Sequence, residues 1–91
     1  MHTHYVYIIL STTIEIDMQN LDRHCLQRQT AMLVDLSTRV ANAKQALKLS
    51  VLMLQVANQW LNAYKLGFCT WSAAKENVVM LDQLSAKIDA R

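Results

Sequence analysis

The sequence contains no proline and only one glycine, Gly67, in 91 residues. Average usage would place roughly six glycines and four or five prolines in a chain of this length. β-Sandwiches and barrels need frequent turns, so the scarcity of both residues excludes these folds and any glycine-rich phosphate loop. Charged residues are also few, at 18%, whereas 53% are hydrophobic and the net charge is +2. This balance excludes a disordered chain and predicts a compact, mostly helical protein.

Cysteine and histidine are too sparse to predict a disulfide framework or a metal site. Cys25 and Cys69 lie among apolar neighbours, which favours two reduced, buried thiols in a cytoplasmic protein over a single bridge or a reactive thiol. His2 and His4 supply only two ligands near a terminus. His24 and Cys25 are adjacent, so on a helix they point about 100° apart. We therefore expect no metal and no cofactor.

The first sixteen residues differ in composition from the rest, because β-branched and aromatic side chains dominate them. Such residues favour a pleated surface and lose side-chain freedom in a helix. The pattern predicts an extended strand over residues 4–10. An alternative reading makes residues 1–16 a poorly ordered leader, with the folded unit beginning near Met18. The segment has neither the basic start nor the apolar length of a secretory signal.

A helical pattern follows and predicts one or two helices over residues 17–66. Asp17 is a suitable N-cap, since its carboxylate can accept hydrogen bonds from the free amides of the first turn. One continuous helix from residue 18 to residue 66 would be about 73 Å long. That length exceeds a compact 10.4 kDa domain, so a break near Ser37, with Ser37 capping a second helix, is an equal alternative.

The strongest pattern is an apolar residue at every seventh position. This column consists of Leu26, Leu33, Val40, Leu47, Leu54, Leu61 and Phe68, and a companion column consists of Leu36, Ala43, Ser50, Ala57 and Tyr64. Two such columns are typical of the seam of a coiled coil, and the few flanking charges favour a buried bundle helix. A domain this small is marginal alone, so we expect a homo-oligomer or a helical protein partner.

Gly67 predicts the end of the central helix, because a glycine just past the last turn adopts the left-handed cap at little cost. Thr70 or Ser72 then caps a C-terminal helix over residues 70–90. The short connection predicts an antiparallel helical hairpin. Residues 62–67 followed by Ala73 and Ala74 are similar to the turn of a tetratricopeptide repeat, which also implies a hairpin.

The sequence therefore predicts an all-α fold in a single domain over residues 1–91. The predicted function is that of a small non-enzymatic interaction module, such as an adaptor, regulator or chaperone. It would act by self-association or by burying a partner helix, with aromatic side chains as anchors. The predicted interface residues are Leu26, Leu33, Val40, Leu47, Leu54, Trp60, Leu61, Tyr64, Phe68 and Trp71.

Two other functions are also compatible with the sequence. Residues 49–64 carry no charge, and the segment 49–66 is flanked by lysines and aromatic residues, so a membrane-associated helical protein is the first alternative. A nucleic-acid-binding helical dimer is the second, and it requires the scattered lysines and arginines to converge on one face. No enzyme is expected, because the seven acidic residues lie at scattered polar positions.

Overall fold

The computed structural model describes residues 22–89, which form three α-helices joined by short loops. Helix α1 spans Arg23–Ser37, α2 spans Ala43–Lys65 and α3 spans Trp71–Asp89. The all-helical prediction is confirmed for this part of the chain. The predicted extended segment at residues 1–16 and the predicted helix start at Asp17 lie outside the described residues.

The central helical segment is divided into two helices. Ser37 is the last residue of α1, where its hydroxyl donates to the Val34 carbonyl at 2.6 Å. The predicted role of Ser37 as cap of the second helix is therefore wrong. Asn42 caps α2 instead, because its Oδ1 accepts from the Gln45 amide at 2.9 Å. The Gln45 Oε1 accepts in return from the Ala41 amide at 2.9 Å, which completes a reciprocal cap.

Local side-chain bonds also set where α1 and α3 begin. The Asp22 Oδ2 accepts from the amides of His24 and Cys25, at 3.1 and 3.2 Å. At the start of α3, the Thr70 Oγ1 accepts from the Ala73 amide at 3.2 Å. Each side chain satisfies amides that a helix leaves unpaired in its first turn. Of the two predicted caps for the last helix, Thr70 rather than Ser72 makes this bond.

Helix α2 ends in a Schellman motif. The Phe68 amide donates to the Ala63 carbonyl at 2.8 Å, and the Gly67 amide donates to the Tyr64 carbonyl at 3.0 Å. Gly67 has a φ of 85°, the left-handed conformation that this motif needs after the C-cap. The single glycine therefore lies where the chain leaves α2.

Helices α2 and α3 share the most extensive contact and run in opposite directions. Near the start of α2, the Ser50 hydroxyl donates to the Oδ1 of Asp89, the last residue of α3, at 2.8 Å. At the other end, the rings of Tyr64 and Trp71 lie 5.2 Å apart. Helix α1 packs against both helices, more closely against α2.

The core is built from regularly spaced residues of all three helices. Helix α2 contributes positions that alternate in steps of three and four: Ala46, Leu49, Met53, Val56, Trp60 and Ala63. Helix α1 contributes chiefly Leu26, Leu33 and Leu36, and α3 contributes Ala74, Leu81 and Ile88. This spacing places each set on one face of its helix.

The prediction of one continuous seam from Leu26 to Phe68 is wrong. The connection at residues 38–42 interrupts it, so the phase of α1 does not carry over into α2. Leu26 and Leu33 are fully buried, whereas Leu47 and Leu54 are 66% and 60% exposed. The seven-residue column in α2 is thus the neighbour of the core column, not the core column itself.

Candidate interaction surface

Four apolar side chains of α2 form a stripe on the outer side of the helix. This α2 stripe consists of Leu47, Val51, Leu54 and Leu61. The first three are exposed and Leu61 is half-buried. Their spacing keeps them within about 40° of a common direction on the helix, and they extend over about 21 Å. The stripe is therefore long enough to contact a docking helix over several turns.

The stripe borders two grooves between α2 and α3. One has a volume of about 320 Å³ and is lined by Leu54 and Leu61 on α2 and by Val79 on α3. The other, of about 360 Å³, is lined by Val40, Leu47 and the end of α3. Val79 is itself exposed, so apolar surface continues from α2 onto α3. A helix lying along the stripe would therefore meet ridges and grooves rather than a flat surface.

Three of the predicted interface residues lie in the core instead. Leu26, Leu33 and Trp60 are fully buried, and in this structure they contact the chain's own helices. Trp60 is also tied to α1, because its Nε1 donates to the Thr30 Oγ1 at 2.9 Å. The Thr30 hydroxyl donates in turn to the Leu26 carbonyl at 2.8 Å. Trp60 is therefore a bonded core residue and offers no surface to a partner.

The other predicted aromatic residues collect at the turn between α2 and α3. We call this group the aromatic tip; it consists of Tyr64, Leu66, Phe68 and Trp71. Leu66, Phe68 and Trp71 are 65%, 56% and 51% exposed. The Tyr64 and Trp71 rings pack at an interplanar angle of 55°, which is a favourable tilted arrangement. The tip is a second apolar surface, separate from the α2 stripe.

The sequence that contains these surfaces includes a stretch in which every charged side chain is basic, although Asp82 and Asp89 of α3 line the two grooves. Residues 36–75 contain no acidic residue and five basic ones, which are Arg39, Lys44, Lys48, Lys65 and Lys75. Lys65 lies between Tyr64 and Leu66 in the sequence and so flanks the aromatic tip. Lys75 follows Trp71 by four residues and so lies on the same side of α3. Arg39 pairs with Asp35 at 3.1 Å. The small net charge of the whole sequence does not reveal this basic stretch, because acidic residues elsewhere in the chain balance it.

Three exposed residues are absent from the predicted interface: Val51 of the α2 stripe, Leu66 of the aromatic tip, and Val79 in the groove beside the stripe. Val51 follows Leu47 by four residues, a helical spacing visible in the sequence. Leu66 is signalled by its place beside Gly67, at the C-cap of α2, since connecting segments run over the protein surface. Val79 belongs to the apolar α3 pattern, and only the packing of α3 on α2 shows that it faces outward.

The residues 22–89 contain no group of three or more histidine, cysteine, aspartate or glutamate side chains that could hold a metal ion. Cys25 is buried and Cys69 half-buried, and neither forms a disulfide. The Cys69 Sγ lies 3.9 Å from the Trp60 carbonyl oxygen. The thiols therefore belong to the packing of the bundle.

Within the described part of the chain, no helix combines the length and apolar character that crossing a bilayer requires. Comparisons with protein-family models, with curated proteins and with solved structures give no match for this chain. Among the residues that the structure describes, the two exposed surfaces are therefore the features that bear on function.

Proposed function

We propose that this protein is a small non-enzymatic interaction module that self-associates by burying its α2 stripe against the same stripe of a second copy. The observation that carries the proposal is the exposure of Leu47, Val51 and Leu54 at helical spacing along one direction of α2. Apolar surface side chains are ordinary when isolated, but a row of neighbouring ones, here Leu47, Val51 and Leu54, is typical of an interaction site. The row borders the α2–α3 grooves, which supply shape for a docking helix.

Physical chemistry favours association of such a row. Full burial of a leucine contributes about 1.5–3 kcal/mol. Because Leu47 and Leu54 are more than half exposed, burial in an interface would still supply most of this free energy. In a two-fold dimer every contact occurs twice, so each apolar side chain acts in both copies. Residues with this exposure also offer a clean test, since changing them leaves the core intact.

The test compares Leu54→Glu with Gln55→Glu by analytical ultracentrifugation at micromolar concentrations. Both positions are exposed neighbours on α2, and both variants gain one negative charge, but only Leu54 belongs to the α2 stripe. We expect the unaltered chain and Gln55→Glu to sediment as dimers and Leu54→Glu as a monomer. Helicity should be unchanged. The free energy of unfolding of the monomeric unit should change by no more than about 0.5 kcal/mol, as is usual for surface substitutions.

Two results would overturn self-association through the α2 stripe. The first is a stably folded monomer for the unaltered chain, which would leave the stripe to a helix of another protein. The second is a dimer that Leu54→Glu does not weaken, which would place the contact elsewhere on the molecule.

A further inference from the structure

The exposed side chains of the aromatic tip have the chemistry of a membrane-interface anchor. Tyr64 and Trp71 have amphipathic rings of the kind that lie at the level of lipid headgroups, and Leu66 and Phe68 are apolar. All four are exposed. The two grooves between α2 and α3 are lined by other residues, so the tip is a surface separate from them.

The charges around the tip match an anionic surface. Lys65 and Lys75 flank it and both are exposed. The carboxylate nearest to them in the sequence is the exposed Glu76, which directly follows Lys75 and lies about 100° away from it around α3. A lysine close to an anionic bilayer gains from the negative surface potential while its stem lies along apolar neighbours. Exposed apolar side chains between two cations fit the boundary between headgroups and acyl chains.

We propose that the aromatic tip binds reversibly to the surface of anionic lipid bilayers, with Leu66, Phe68 and Trp71 inserted at the interface and Lys65 and Lys75 on the headgroups. The surface used is the α2–α3 turn, and not the helical segment 49–66 as a whole. The core packing of Trp60 supports this distinction, since a buried indole cannot reach lipid. The proposal uses residues outside the α2 stripe, so it stands or falls independently of self-association.

The experiment measures flotation of the full chain with vesicles of phosphatidylcholine and phosphatidylserine, and with vesicles of phosphatidylcholine alone. We expect binding to the anionic vesicles, weaker binding to the neutral ones, and loss of binding as salt is raised, because salt screens surface charge. Phe68→Ser should weaken binding about tenfold through lost apolar contact. Lys75→Glu should weaken it at least about fivefold.

Lys87→Glu is the matched control for charge. Lys87 lies in the last turn of α3, at the end of the bundle opposite the tip, and the substitution changes net charge by the same amount as Lys75→Glu. Binding that falls equally in both lysine variants would overturn the proposal, because it would reflect net charge alone. Equal binding to neutral and anionic vesicles, or no effect of Phe68→Ser, would overturn it too.

Acrylamide quenching of tryptophan fluorescence gives an independent readout. Trp60 is buried and Trp71 about half exposed, so quenching in solution should come chiefly from Trp71 and should fall when anionic vesicles are added. The variant Trp71→Phe removes that signal and serves as the reference. If Trp71 is already protected without lipid, the tip is covered by another occupant, such as residues 1–21 or a second copy, and the proposal fails.

Discussion

The hydrogen bond between Trp60 and Thr30 links α1 to α2 inside the core, and removing its acceptor gives a sharp test of the packing. The variant Thr30→Val keeps the size and branching of the side chain but deletes the hydroxyl. The Trp60 indole N–H, fully buried and bonded to Thr30 at 2.9 Å, would then lack a partner. A buried donor left unpaired costs about 1–3 kcal/mol, so we expect a loss of about 2 kcal/mol in the free energy of unfolding.

Urea denaturation followed by circular dichroism measures this loss. For a domain of this size, 1 kcal/mol corresponds to about 4–8 °C in Tm, so a thermal scan should show a drop of roughly 10 °C. Thr30→Ser is the matched control, because it keeps the hydroxyl and removes only a methyl group. The Leu26 carbonyl also loses the hydrogen bond from the Thr30 hydroxyl. We expect this loss to cost little, because a helix carbonyl still accepts from a backbone amide of the next turn.

A double-mutant cycle assigns the effect to the pair. In a Trp60→Phe background there is no indole N–H to strand, so Thr30→Val should cost much less than in the unaltered chain, with a coupling energy of about 1–2 kcal/mol. Equal costs in the two backgrounds would refute the bond as the cause. A cost below about 0.5 kcal/mol in the unaltered chain would refute the buried, bonded placement of Trp60.

Two further substitutions test the turn and a buried amide. Gly67→Ala should destabilise the fold by about 1–2 kcal/mol, because a side chain is strained at a φ of 85° although nothing lies within 4 Å of the new Cβ; Gly67→Asn should cost less, and equal urea midpoints for alanine and glycine would contradict the left-handed turn. Gln29→Met should raise stability by about 1 kcal/mol, because the buried Gln29 Oε1 has no hydrogen-bond partner. The exposed Gln27→Met is its control in the same thermal scan, and a lower Tm for Gln29→Met would show that the amide is well paired.

Much of the fold is readable from local signals in the sequence. The scarcity of glycine and proline together with helical periodicity predicts an all-helical chain, and the left-handed turn follows from Gly67 being the only residue there without a Cβ. The break between α1 and α2 has a local signal as well, in the reciprocal pair Asn42 and Gln45. Serine is also a strong cap former, so Ser37 predicts the start of the second helix at the wrong position.

The phase of α2 is harder to read, and the candidate site depends on it. Helix α2 carries two apolar columns side by side, and the column with Leu47, Leu54 and Leu61 is richer in leucine than the one with Ala46, Met53 and Trp60. Hydrophobicity alone therefore favours the wrong column as core. The packing of α1 and α3 against α2 decides which side of α2 is buried, and that side includes the small residues Ala46 and Ala63. Periodicity predicts a face, but the neighbours of a helix decide what the face meets.

The order in which the helices pack bears on how the chain folds. Helix α2 packs chiefly on the helix that follows it directly, across the turn at Gly67, and α1 joins α2 through the short connection at residues 38–42. Closing such short loops costs little chain entropy. Helical domains whose contacts are mostly local in sequence fold in microseconds to milliseconds. Both connections are short, so we expect the α2–α3 pair, which shares the larger contact, to form no later than the α1–α2 pair, which Trp60 and Thr30 bond together. An apolar helix such as α2 would then be unprotected only briefly.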